Sequence, residues 1–307
     1  MVMPRLHLIF WVTLAMLAFA GNSLLCRMAL KHTSIDPASF VTMRLASGAC
    51  MLWLLVRLTS WLQRGKRSAA SAIVWNAGNW LSAAALFVYA AAFSFAYTAM
   101  SAATGALLLF GAVQATMIGY GVAHGERLRP LQLAGVALAL AGLVALMLPG
   151  LAAPPLPSAL SMVGAGMAWG VYSLRGKRVP ARHNLGPTQI TAGNFLRAVP
   201  MALVLSLVMA GQGAYDLTGL GLATVSGAVA SGLGYAIWYH ALPALKATHA
   251  ATVQLSVPVI AALGGIALLG ESFTLTLALA SCAILGGIAL VIWDKKAPPP
   301  VKPKMPP

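Results

Sequence analysis

Long apolar runs alternate with short polar or charged stretches along almost the whole chain. Most runs have about the length that a helix needs to cross a bilayer core, which is roughly 20 residues. The pattern therefore predicts an all-α integral membrane protein with ten transmembrane helices. The predicted spans lie near residues 8–30, 38–59, 72–98, 101–122, 131–148, 158–174, 187–210, 218–240, 249–269 and 274–293.

The composition explains where these helices must lie. Of the 307 residues, 60% are hydrophobic and only 8% are charged, whereas a soluble domain has roughly 25% charged residues. The outer surface is therefore expected to face lipid. The cysteines Cys26, Cys50 and Cys282 fall inside apolar runs, and their spacing suits neither a zinc site nor a disulfide framework. No metal or cofactor is predicted.

The net charge of +15 has a distribution that indicates topology. Most of the lysines and arginines fall on alternate connections, whereas the opposite connections hold Lys31, Asp36, Asp216 and Glu271. This is the positive-inside pattern, which predicts a bacterial-type inner membrane with both termini in the cytoplasm. Because topology accounts for the basic residues, no nucleic-acid partner is expected. The expected partner of these residues is the lipid bilayer.

A short motif occurs twice, as Gly125-Glu126 before span five and as Gly270-Glu271 before span ten. Five spans separate the copies, and because five is odd the second copy enters the membrane inverted. Inverted repeats around a central site are a recurring architecture of secondary transporters. The predicted organisation is a first repeat at 1–148, an outer linker at 149–157, a second repeat at 158–293 and a disordered cytoplasmic tail at 294–307.

The paired Gly-Glu stretches, each followed by a glycine-spaced helix, resemble the EamA-type repeat of the drug/metabolite transporter superfamily. The spacing glycines are Gly135, Gly142, Gly286 and Gly287. The resemblance covers residues 8–293 as two copies, and it implies ten helices and ATP-independent transport of small metabolites. The chain is also similar in length and span count to bacterial amino-acid exporters, aromatic amino-acid exporters among them. A multidrug or other metabolite exporter of the superfamily is the alternative.

Two function classes outside transport, a membrane-embedded enzyme and a membrane sensor, lack support in the sequence. A membrane-embedded enzyme needs a polar cluster, but the six histidines accompany no HExxH motif, acid pair or serine elbow. A membrane sensor needs a long loop or soluble domain, and the connections are short. We therefore expect no catalytic residue, and a small solute as the partner. The sequence leaves monomer and homodimer open.

Charged residues in or beside the spans are few. Glu126 and Glu271 lie at helix ends, where a carboxylate can cap the N-terminus of the following helix. A structural role is expected for both, with gating and coupling as alternatives. Arg44 and Arg197 lie deeper, on spans two and seven. Each either holds backbone carbonyls, anchors near a headgroup or attracts a substrate carboxylate.

Uncharged polar and aromatic residues inside spans are candidates for a solute cavity, because such side chains are disfavoured in lipid. The predicted substrate-binding residues are Asn22, Asn79, Trp80, Tyr89, Gln114, Trp169, Tyr172, Tyr235, Trp238 and Gln254. Pro258 is expected to leave the Gln254 carbonyl unbonded near mid-membrane. The family resemblance places the path among spans one, three, four, six, eight and nine. Aromatic walls favour a neutral or zwitterionic solute with an apolar or aromatic side chain.

Overall fold

The computed structural model describes residues 5–62, 77–125, 128–147, 154–178, 186–210, 214, 216–245 and 253–293. Within these ranges the chain is helical and contains no β-strand. The long helices are α1 (Arg5–His32), α2 (Pro37–Leu62), α3 (Trp80–Tyr97), α4 (Ala102–Ala123), α5 (Pro130–Met147), α6 (Leu156–Arg178), α7 (Pro187–Val208), α8 (Leu217–Ala241), α9 (Ser256–Leu269) and α10 (Leu275–Trp293). Glu126, the tail 294–307 and most of the predicted linker lie outside the described residues.

Several helices are long and apolar enough to cross a membrane. Among the described residues six meet this criterion, namely α1, α2, α3, α4, α7 and α8. The helices α5, α9 and α10 contain shorter apolar segments. The prediction of an all-helical membrane protein is confirmed.

Side-chain caps determine where several helices begin. Asp36 Oδ1 accepts hydrogen bonds from the backbone N–H groups of Ala38 and Ser39, at 2.9 and 3.0 Å, and Pro37 opens α2. Asn79 caps α3 in the same way, because its side chain accepts from Ser82 N at 2.8 Å. Such caps satisfy N–H groups that have no partner in the first helical turn.

One predicted helix start needs correction. The third span was expected near 72–98, but α3 begins at Trp80, so Asn79 is a cap and not a mid-span residue.

Span nine was predicted near 249–269. Val253 and Gln254 are helical, Leu255 is a turn residue, and α9 begins at Ser256. The helix is therefore interrupted just before Pro258. That the Gln254 carbonyl is left unbonded stays a prediction.

The helices pack in pairs that connect the two predicted repeats. The helix α1 packs against α8 and α9, and α6 packs against α3 and α4. The helix α2 packs against α7 and α8, α7 also packs against α3, and α5 packs against α10. These pairs are symmetric between the two predicted repeats, when α1 corresponds to α6, α2 to α7, and so on to α5 and α10. The contact of α1 with α8, for example, corresponds to that of α6 with α3, and the contact of α5 with α10 corresponds to itself.

Glycine permits the closest helix contacts. A Cβ added at Gly135 of α5 would lie 2.6 Å from the Gly287 carbonyl oxygen of α10. A Cβ added at Gly227 of α8 would clash with Ser47 Oγ and with the Arg44 carbonyl oxygen of α2. Small residues of this kind allow helix backbones to approach each other in membranes.

The helix α8 is irregular at the point where it crosses α2. Its residues Leu217–Val225 and Gly234–Ala241 are α-helical, whereas Ser226–Leu233 form a π-helix. Segments of π-helix are uncommon and occur often at functional sites. The segment contains Gly227 and therefore contacts α2 directly.

Two aspartates join the α1–α2 connection to the α7–α8 connection. Asp216 caps α8 and also accepts hydrogen bonds from Ser34 N at 2.7 Å and Ser34 Oγ at 2.9 Å. In return, Ala214 N donates to Asp36 Oδ2 at 3.1 Å. Hydrogen bonds from the backbone N–H groups of Gly219 and Ser34 lower the pKa of Asp216 below its ordinary value. This contact connects both predicted repeats at one membrane face.

Candidate functional site

A small cavity lies among helices from both predicted repeats. Its volume is about 20 Å³, which is room for about one water molecule. The lining residues are Phe19, Asn22 and Ser23 of α1, Tyr89 and Phe93 of α3, Leu109 and Phe110 of α4, Trp169 of α6, Ala230 and Tyr235 of α8, and Gln254 just before α9. Most of them lie near the middle of their helices, so the cavity is central.

Aromatic rings form a continuous wall around this cavity. The Trp169 ring lies at the centre, with its centroid 4.9 Å from the Tyr89 ring and 5.0 Å from the Tyr235 ring. Phe19 contacts Tyr235 edge to face at 5.7 Å. Tilted and edge-to-face contacts of this kind suit the ring quadrupoles. The wall therefore offers flat apolar surfaces to whatever enters.

A chain of hydrogen bonds runs beside the aromatic wall. Asn22 Nδ2 donates to the Tyr89 hydroxyl oxygen at 3.3 Å, and Arg44 Nη2 donates to the same oxygen at 3.2 Å. Ser226 Oγ donates to Asn22 Oδ1 at 2.8 Å, and Arg44 Nε donates to Ser231 Oγ at 3.3 Å. Both serines belong to the π-helical segment, so this irregularity orients the polar side of the cavity.

The structure brings five of the predicted substrate-binding residues together at this cavity. They are Asn22, Tyr89, Trp169, Tyr235 and Gln254. Two further predicted residues form a layer behind them. Tyr172 stacks on Trp169 with centroids 5.4 Å apart, and Trp238 contacts Phe19 at 5.9 Å.

Other predicted residues lie elsewhere. Asn79 caps α3 and accepts a hydrogen bond from Arg175 Nη2 at 3.1 Å. The side chain of Trp80 is 60% exposed on the protein surface, and Gln114 is buried in α4 without lining the cavity. Pro258 lines a separate groove of about 210 Å³ whose walls are almost entirely apolar.

The two intramembrane arginines have different environments. Arg197 donates to the backbone carbonyls of Ala77 and Gly193, and its guanidinium lies 5.9 Å from the centroid of the Trp80 ring. It therefore holds backbone carbonyls, which is one of the three alternatives that the sequence left open. Arg44 contacts hydroxyl groups and rings instead, and only 2% of it is exposed.

Glu271 caps a different helix from the one expected. The sequence predicted a cap on the following helix, α10. In the structure the carboxylate accepts hydrogen bonds from Ala102 N, the first residue of α4, and lies 3.4 Å from Arg27 Nε. The predicted target was wrong because the chain folds the α9–α10 connection onto α4, and the structural role stays a prediction.

Several lining residues were not predicted. Phe19, Phe93 and Phe110 line the cavity, but they are apolar residues within apolar runs. In the sequence, such residues cannot be distinguished from residues that face lipid. Ser226 and Ser231 do not line the cavity but bond to Asn22 and Arg44 beside it, and in the sequence they look like small packing residues of a glycine-rich span. The signal that could have found the serines is the pair of nearby glycines, which marks a close helix crossing.

Comparison with known sequences places this helical protein in a family. The model of the EamA-like transporter family matches residues 156–293. The uncharacterized protein PA1977 of Pseudomonas aeruginosa is 53% identical over 290 residues, which cover 94% of this chain and 96% of that protein. The threonine/homoserine exporter RhtA of Salmonella typhimurium is 31% identical over 159 residues, covering 51% of this chain and 53% of RhtA. The chain belongs to the drug/metabolite transporter superfamily.

A solved structure supports the fold of this transporter over nearly its whole length. One crystal structure superposes with a TM-score of 0.63 at 19% sequence identity, covering 92% of this chain and 96% of that one. At this identity the likeness concerns the fold. The family match and the long apolar helices make the protein a multi-pass membrane transporter of small solutes.

Proposed function

We propose that this transporter exports amino acids, aromatic ones among them, across the inner membrane by alternating access. The observation that carries the proposal is the central cavity, where the rings of Tyr89, Trp169 and Tyr235 face amide groups of Asn22 and Gln254. Aromatic faces suit an apolar or aromatic side chain, and amides suit the polar end of a solute. The similarity to a threonine/homoserine exporter supports the amino-acid class.

The charge of the cavity supports a zwitterionic solute over a cationic one. The described lining residues include no carboxylate. A permanently cationic drug would have only ring faces to interact with, and cation–π contacts replace a counter-ion only in part. An amino acid carries its own compensating charges and so needs no acidic residue.

The size of the cavity and the packing of the helices support alternating access. Ligand sites usually have roughly 300–1,000 Å³, so helices must separate before a solute can enter a cavity of about 20 Å³. The contacts made by α1–α5 correspond to those made by α6–α10, and this symmetry supports two inverted repeats, at 1–148 and 158–293. The family match at 156–293 supports the same division. Pseudo-symmetric halves can rock about a central site.

Transport by purified protein in liposomes tests the proposal. Labelled amino acids, nucleosides and cationic drugs would be offered singly, with and without a proton gradient. We expect exchange of amino acids, with aromatic ones among the solutes that move. Selective movement of cations would contradict the amino-acid class. A hydrolytic activity without movement of any solute would favour a membrane-embedded enzyme.

A further inference from the structure

Arg44 is a buried cation whose described contacts are all neutral. Its Nε and Nη2 atoms donate to the hydroxyl oxygens of Ser231 and Tyr89. Its guanidinium carbon lies 5.3 Å from the Tyr89 ring centroid and 5.0 Å from that of Phe93. In the described part of the chain, Nη1 has no hydrogen-bond partner. A guanidinium carries more N–H donors than these contacts use.

The chain offers this cation no described counter-ion. Among the described residues, the ion pair found is that of Arg27 with Glu271, and it involves the α9–α10 connection and not α2. Burial of an unpaired charge is costly, and hydroxyl groups and ring faces offset only part of the cost. A buried guanidinium with an unused donor is therefore poised to bind an anion.

The position of Arg44 directs this unused capacity toward the solute cavity. Tyr89 and Phe93, the two rings in contact with the guanidinium, both line that cavity. Ser231 follows Ala230, which also lines it, in the π-helical segment of α8. Arg44 thus lies directly behind the wall of the cavity, one side chain away from its interior.

We propose that Arg44 binds the carboxylate of the transported solute. The proposal rests on the proposed amino-acid transport and assigns one contact within it. When the helices separate, the guanidinium exchanges neutral hydroxyl partners for the carboxylate, and Nη1 gains a charged acceptor. The aromatic wall then receives the side chain of the solute. The exchange favours binding because the guanidinium gains a counter-charge and Nη1 makes a charge-assisted hydrogen bond that it lacks among the described residues.

The proposal predicts discrimination by the solute carboxylate. Purified variants in liposomes would be assayed with phenylalanine and with phenylalanine amide, which lacks the negative charge. We expect Arg44→Gln to slow phenylalanine transport about tenfold or more, as loss of one charge-assisted hydrogen bond does. Transport of the amide should change less than about threefold, because the amide has no carboxylate and so no ion-paired hydrogen bond with Arg44 that the variant could remove. Arg44→Lys should retain part of the preference for phenylalanine.

Arg197→Gln is the matched control, because it also removes an intramembrane arginine but one bonded to backbone carbonyls. It should reduce transport of both solutes by the same factor. Equal loss of both solutes in Arg44→Gln would make Arg44 a packing residue and overturn the proposal. If the wild type moves no amino acid at all, the proposed function itself fails.

A binding measurement on the wild type keeps the proposal testable should Arg44→Gln not fold. Ligands that bind the native state raise its thermal unfolding temperature. We expect phenylalanine and hydrocinnamate, which share a carboxylate, to raise it more than phenylalanine amide at equal concentration. Equal stabilisation by the amide, or equal stabilisation by inorganic phosphate, would contradict a carboxylate site at Arg44.

Discussion

Both carboxylate oxygens of Glu271 accept a hydrogen bond from the backbone N–H of Ala102, at 3.1 and 2.9 Å, although 169 positions separate the two residues. Ala102 is the first residue of α4, so the carboxylate lies at the positive end of that helix. Arg27 approaches the same carboxylate and donates to the Tyr97 carbonyl at 2.8 Å. One glutamate therefore ties the α9–α10 connection to α1 and α4.

Glu271→Gln should lower stability by about 1 kcal/mol, because the amide retains one acceptor for Ala102 but leaves Arg27 without its counter-charge. Glu271→Ala should lose about twice as much, since both interactions disappear. Thermal unfolding in detergent and the yield of folded protein measure the effect. The gradient dependence of transport in the surviving protein should be unchanged.

A glycine substitution provides a check on this structural role. A Cβ at Gly265 would lie 2.5 Å from Glu271 Oε2, so Gly265→Ala should displace the carboxylate and lower stability without removing a charge. Gly286→Ala is the control, because no atom lies within 4 Å of its added Cβ. Normal yield of Glu271→Gln with a lost pH response would instead identify a proton site.

Trp169→Ala should weaken transport of aromatic amino acids about two- to tenfold more than that of small aliphatic ones. The estimate follows from ring contacts worth about 0.5–1.5 kcal/mol beyond area burial. Initial rates in liposomes at equal protein level measure the effect. Trp80→Ala is the control, because Trp80 is largely exposed and lies outside the cavity. The same loss for both solute classes would reduce Trp169 to a packing residue.

Gly227→Ala should destabilise the crossing of α2 and α8 by about 1–3 kcal/mol, the usual cost of overpacking. The added methyl group would meet the backbone oxygen of Arg44, which cannot rotate away. Gly221→Ala in the same helix should be neutral or slightly stabilising, because its Cβ points into open space. Thermal unfolding of both variants compares them, and equal behaviour would contradict the close approach.

The predicted orientation can be checked with single cysteines. In a background with the three native cysteines replaced by alanine, Ala153→Cys should react with an impermeant thiol reagent added outside intact cells. Ser68→Cys should react only after the membrane is opened, because its basic neighbours indicate a cytoplasmic connection. The reverse labelling pattern would invert the whole topology.

Much of the candidate site was predictable because its polar members stand out in apolar runs. Polar or aromatic groups in a membrane helix tend to face other helices. This tendency predicts five residues that do line the cavity, namely Asn22, Tyr89, Trp169, Tyr235 and Gln254. The same tendency also predicts Asn79 and Trp80 at the cavity. In the structure Asn79 caps α3, and Trp80 is exposed on the surface. Residue type indicates that a side chain needs a partner, but it does not say which partner.

The helices and the membrane environment can be predicted from the chain alone, because apolar runs and caps such as Asp36 act on residues close in the chain. Three contacts are visible only once the helices are packed: Glu271 caps α4, Gly227 contacts Arg44, and the described partners of Arg44 are neutral. These are contacts between residues far apart in the chain. They depend on how helices cross, and crossing is set by the packing of many side chains together, which no local pattern encodes.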